Sequence, residues 1–307
     1  MNDLLISNLK QLLREVYLDC LSTPPQYAIR AFKQALAEET SELAKLNLKT
    51  LLANYTVATR NRVPACSDTG NPIWYLILGS EALPFLKGGV PALERLICQI
   101  TSELTHEGLI QIIMHHPLRE EIRDNVGERI PEINYKFREA DYVEFIATPK
   151  GVGTEEFGSR FEVVPTGEGV KGIKRFVMDS VIKSVRHGTT CPPNIVGVGI
   201  GGTFDLCPRL AMEAALLRPI GDRHPDPQIA SLEQELLAAI NATGIGPLGM
   251  GGQCTALDVH IETAFCDGGI PTAVTVLCPA IHLGVVRLYR DGRMEKRDQS
   301  SWFEVRP

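Results

Sequence analysis

The chain of 307 residues has no uninterrupted apolar stretch of about 18 residues, which argues against a membrane span. It is short of positive charge: 31 Lys and Arg stand against 37 Asp and Glu, a formal net charge of -6, with no long basic run. Such a field attracts neither nucleic acid nor an anionic membrane surface, so neither is expected as a partner. The opening MNDLLISNLK lacks a positive leading region, an unbroken apolar core and a small-residue cleavage site, so a cytoplasmic location is expected. In that compartment the eight cysteines, at 20, 66, 98, 191, 207, 254, 266 and 278, read as thiols or metal ligands rather than disulfides. None forms a CxxC pair, which speaks against a zinc ribbon. The run Gly197 to Gly202 lacks the third glycine of a dinucleotide fingerprint, and no P-loop lysine follows it. Internal repeats, low-complexity tails and long linkers are missing too, so residues 1–307 read as one unit.

What is present, 44% hydrophobic and 22% charged residues, is the composition of a globular protein. Residues 1–60 read as a helical N-terminal region. Leu4, Leu5, Leu9, Leu12 and Leu13 mark one helical face, STPP at 22–25 breaks it, and an alanine-rich helical stretch follows. This region is expected to be scaffold or dimer surface. Residues 61–307 read as a mixed α/β region. Apolar runs at IWYLILG, VEFIATP, Ile195 to Ile200, DVHIE and TAVTVLCPA predict strands, and segments from Pro91, Val170, Leu206 and Ile229 have helical spacing. MHHPLREEIRDNVGERIPEI reads as loop.

The most site-like stretch is HGTTCPPNIVGVGIGGTFD, where a proline-bounded turn, a buried strand, a glycine turn and a helix start follow one another. Its glycines predict close approach of some other group to the backbone. Cys191 stands at its entrance, and Cys66 in PACSDTG and Cys278 in VLCPA occupy similar strand–loop junctions. Three converging thiolates would suit an iron-sulfur cluster or another soft metal. Three buried core cysteines are the alternative, since free cysteine is among the most buried residue types.

ACSDTG, CPPNIVGVGIGGTFD, RPIGDRHPDP, GIGPLGMGG and DVHIE, in this order, resemble the alpha subunit of the iron-sulfur hydro-lyases, the class I fumarase and L-tartrate dehydratase family. The resemblance covers nearly the whole chain and is least specific in the N-terminal helices. It implies a [4Fe-4S] cluster held by Cys66, Cys191 and Cys278, with Cys254 a rival for the third place. It implies reversible hydration and dehydration of a small hydroxy dicarboxylic acid of the fumarate/malate or tartrate type. It also implies a beta-type partner subunit that supplies the base, and a dimer of the alpha subunit or a heterotetramer.

The resemblance assigns Asp68 and Thr69 as catalytic, and places Ser67, Gln111, Gly151, Gly153 and Cys266 at substrate-binding positions. An Asx bond within its own turn is the other reading of Asp68. Ser67 stands where the family has glutamine, Gln111 where it has arginine, and Cys266 where it has histidine. A neutral amide at 111 lacks the bidentate, charge-assisted grip of a guanidinium, which predicts weak activity on fumarate or tartrate. Two other readings follow from these departures: a diverged lyase for a different hydroxy acid or a sulfur-containing molecule, and a cluster-carrying subunit without catalysis.

Overall fold

The structure is a computed structural model that describes residues 3–119, 124–188 and 190–304. Among them are seven helices: α1 (Asp3–Ser22), α2 (Gln26–Glu38), α3 (Glu42–Asn61), α4 (Gly89–His106), α5 (Gly169–Arg186), α6 (Leu206–Leu217) and α7 (Pro227–Asn241). Nine strands join them: β1 (Ile73–Gly79), β2 (Glu132–Arg138), β3 (Tyr142–Ala147), β4 (Ser159–Val164), β5 (Asn194–Ile200), β6 (Ala256–Thr263), β7 (Ile270–Leu277), β8 (Gly284–Tyr289) and β9 (Met294–Arg297). The fold is mixed α/β, as the sequence predicts. No helix among the described residues is long and apolar enough to cross a membrane.

The chain forms two compact units, one from residues 1–24, 57–151 and 282–307, the other from 25–56 and 152–281. In the first, a five-stranded mixed sheet runs in the order β2-β1-β3-β8-β9. β1 is buried along its whole length, as its unbroken apolar run requires. Leu9, Leu13 and Tyr17 of α1 recur at helical spacing and are fully buried, whereas Leu4 is exposed. They share a core with Trp74, Leu76 and Leu78 of β1 and with Leu93, Ile97 and Ile100 of α4. The expected scaffold face of the first helix is therefore a core face of this unit. Each such leucine contributes about 1.5–3 kcal/mol by burial. Part of MHHPLREEIRDNVGERIPEI, residues 120–123, lies outside the described residues, and its last two residues open β2 instead of remaining loop.

The second unit carries a four-stranded sheet in the order β4-β7-β5-β6, with β5 parallel to β6 and antiparallel to β7. α5 and α7 cover it through Val177, Val181, Leu236 and Ile240, packed with Val196, Val198, Val259 and Val274. The glycines of β5 serve α6. A Cβ at Gly197 would lie 2.1 Å from the Ala211 carbonyl oxygen, and one at Gly199 would lie 2.1 Å from that of Cys207. At Gly197 and Gly199 the close approach predicted for this run is helix-on-strand packing.

The strand directions decide which loops share an end. Cys191 precedes β5, Cys278 follows the antiparallel β7, and Cys254 precedes the parallel β6, so all three stand at one end of the sheet. Cys266, between β6 and β7, stands at the opposite end.

Candidate functional site

In the second unit, Asn194 joins two of the expected ligands. It is fully buried, and its Nδ2 donates to the carbonyl oxygens of Cys191 and Leu277, each at 3.1 Å. The turn holding Cys191 and the strand end leading to Cys278 are thereby fixed by one side chain. The GIGPLGMGG loop adds to this, since Leu248 N donates to the Pro192 carbonyl at 2.8 Å. Thr154 supports Cys278 directly: its Oγ1 accepts from Cys278 N at 3.3 Å and donates to the sulfur at 3.4 Å. The Tyr55 hydroxyl donates to the carbonyl of Pro279. Gly153 begins the short helical turn Gly153–Phe157 that carries Thr154.

The rival thiol of Cys254 is placed differently. It turns back to the Ala256 carbonyl, lines a cavity of about 280 Å³ with Glu38, Glu39, Arg223 and Asp258, and burial with the neighbouring Glu39 pushes it up to about 12. Burial likewise raises the thiols of Cys20, Cys98 and Cys207. Cys66 and Cys191 are exposed and Cys278 is partly exposed. Among the described residues, no three His, Cys, Asp or Glu side chains form a ready metal-binding group.

The first unit gathers Asp68, Thr69, Gln111 and Gly151. Asp68 Oδ1 accepts from Gly70 N at 3.1 Å, which is the Asx bond of the alternative reading. Its other oxygen lies against Gly151, where a Cβ would come within 2.8 Å of Oδ2; any larger residue at 151 would displace the carboxylate. Thr69 is buried, and its Oγ1 accepts from Gln111 N at 2.9 Å. The Gln111 carbonyl in turn accepts from Asn125 Nδ2 at 2.8 Å, and Asn125 Oδ1 accepts from the amides of Ile113 and Met114. The Asp68 loop and the Gln111 loop are thus one hydrogen-bonded system. Cys66 and Ser67 are exposed at its edge. Cys266 is exposed at the sheet end away from Cys191 and Cys278, so within this unit the structure does not bring it to them.

Asn194, Thr154, Tyr55 and Asn125 were not among the residues singled out from the sequence. Only Asn194 carried a signal, as the polar residue that ends CPPN at the start of an apolar run.

The RPIGDRHPDP segment builds a buried polar cluster beneath β6. Arg218 Nη1 lies 2.6 Å from Glu233 Oε1, Arg223 Nη1 lies 2.7 Å from Asp258 Oδ1, and among the described residues neither ring nitrogen of the fully buried His260 has a hydrogen-bond partner. Burial, then Arg218 and Arg223, holds the His260 pKa well below its usual value, so the folded ring is neutral. Its contribution to stability is full above the unfolded pKa, near 6.5, and is lost as pH falls through 6.5 toward the folded value. Thermal unfolding should show stability falling between pH 6.5 and 5 by up to about 1.4 kcal/mol per pH unit from this residue, and His260→Phe should flatten that slope.

A profile of the Fumerase family, described as fumarate hydratase, matches residues 10–284. A Methanocaldococcus jannaschii protein provisionally named L(+)-tartrate dehydratase subunit alpha is 37% identical over 289 residues, covering 91% of this chain and 97% of its own length. The L(+)-tartrate dehydratase subunit alpha of Escherichia coli K12 is 31% identical over 273 residues, covering 87% of this chain and 86% of its own. With the family profile spanning most of its length, the chain belongs to the fumarate hydratase family of hydro-lyases.

Proposed function

We propose that this chain is the alpha subunit of a two-subunit [4Fe-4S] hydro-lyase that acts on a small hydroxy dicarboxylic acid of the tartrate or malate type. The observation that carries the reading is the pairing of Cys191 and Cys278 at one sheet end under Asn194, in a chain of this family. Accessible thiols held by backbone hydrogen bonds suit a soft metal, and in this reading Cys66 completes the set. When bound, such a cluster supplies an open iron that acts as a Lewis acid toward a hydroxyl.

The chain's own residues supply the rest. Asp68, seated on Gly151 and oriented by Gly70 N, holds or moves a proton at the substrate hydroxyl. Thr69 ties that loop to Gln111 and fixes the pocket wall. Removal of the proton next to a carboxylate needs a base, which we assign to a beta-type subunit, the partner that the alpha-subunit names of the relatives support. Gln111 gives no positive charge, so we assign the cation for the substrate carboxylate to the same partner.

The test is the chain purified without oxygen together with its beta-type partner. About four iron and four sulfide per chain are expected, as for a cubane cluster, along with dehydration of L-tartrate or L-malate. Changing Cys66, Cys191 or Cys278 to Ser should remove iron and activity together, whereas Cys254→Ser should keep both. An iron-free wild-type complex would end the reading.

A further inference from the structure

His282, in the first unit, is buried, and its two ring nitrogens are treated differently by the fold. Nδ1 lies 3.0 Å from the Pro149 carbonyl oxygen. A carbonyl only accepts, so Nδ1 carries the proton, and in the neutral ring Nε2 is a lone-pair acceptor. Burial favours that neutral ring, opposed by the Pro149 bond and by the nearby charge of Asp68. Nε2 is itself buried and has no hydrogen-bond partner among the described residues. A histidine kept only as a backbone brace needs one nitrogen, and leaving the other buried and unsatisfied destabilises the fold. Such a group marks a place for a donor.

The chemistry of the neighbourhood says which donor. The carbonyl braced by His282 opens the Pro149–Gly151 turn, and Gly151 is the surface against which the Asp68 carboxylate lies. A carboxylate and an imidazole lone pair are both acceptors, so they are joined only by a molecule offering two hydrogens. Water does this, and buried water is the usual partner of such orphaned groups.

We propose that His282 is a positioning residue for Asp68: Nδ1–H fixes the Pro149–Gly151 turn, and Nε2 accepts from a bound water whose second hydrogen goes to the Asp68 carboxylate. The inference rests on Asp68 being a site residue in the hydro-lyase reading. It adds His282 to that site and gives the residue a role distinct from bracing.

His282→Asn tests it in the complex with the beta-type partner. Asparagine Nδ2–H can keep the bond to Pro149 but has no counterpart of Nε2. The expected result is an unchanged melting temperature, a KM for L-tartrate within about twofold of wild type, and kcat lowered about tenfold or more. An Asn variant with wild-type kcat would show that His282 is only a brace. A crystal structure of the wild-type complex decides independently of activity and of whether the variant folds: a water within hydrogen-bond distance of both Nε2 and Asp68 is expected, and a dry or otherwise paired Nε2 overturns the proposal. A wild-type complex that dehydrates no hydroxy acid would count against the function above, while the crystallographic result would still decide the role of His282.

Discussion

Asp68→Asn should lower turnover about 10²–10⁴-fold, the range typical of a lost acid–base group, with little change in the melting temperature. The asparagine Oδ1 can still accept from Gly70 N, and the side chain fits the space above Gly151 because its volume is nearly unchanged. What is lost is the ability to take and return a proton. If Asp68 serves only as the Asx cap of its turn, asparagine, an equally good residue for that purpose, should leave kcat untouched. The two readings of this residue therefore separate by orders of magnitude. Gly151→Ala gives a companion result: the added Cβ meets Oδ2 at 2.8 Å, so activity should fall through displacement of the carboxylate although the carboxylate itself is retained.

Glu233→Ala should be strongly damaging to folding, costing roughly 3–5 kcal/mol, as expected when one partner of a buried ion pair is removed. Arg218 and Glu233 are 2% and 1% exposed. Glu233 Oε1 also accepts from Ile261 N at 2.9 Å, and Oε2 accepts from His224 N at 3.1 Å, so the alanine strands a guanidinium and two amides at once. Asp222 and Glu262 remain near Arg218, at 2.9 and 3.4 Å, and they limit the loss. For a unit of this size the cost corresponds to a drop in melting temperature on the order of 10 °C. The double variant Arg218→Met with Glu233→Leu should recover much of it, because an apolar pair of similar volume carries no uncompensated charge. Equal destabilisation by the single and double variants would contradict this account of the cluster.

The periodic elements were legible in the sequence for a plain reason: β1 and β5 are unbroken apolar runs and α1 repeats leucine at helical spacing, so burial alone dictates them. β2 and β4 were not. EINYKFR and SRFEVV are short, partly exposed strands at the sheet edges, and what makes them strands is their pairing to β1 and β7, distant in sequence. The same distance hid the Arg218 cluster, whose members each look like solvent-facing charges when read alone. At the site, the order of the motifs pointed to Cys191 and Cys278, but their common sheet end follows from antiparallel pairing, which local pattern does not encode. The glycine run predicts close backbone approach, and at Gly197 and Gly199 the partner is α6, which packing across the sequence, not local pattern, supplies.

The Asn194 clamp has a consequence for the life of the protein in air. Cys191 and Cys278 are far apart along the chain, yet their spacing is set by strand pairing and by one buried amide, all of it formed by protein alone. The entropy of bringing these two chain segments to one sheet end is therefore met by folding of the sheet itself. If Cys191 and Cys278 hold the cluster proposed above, damage that strips it should leave these two segments in place, so repair becomes a matter of resupplying iron and sulfide, with no need to refold or replace the polypeptide.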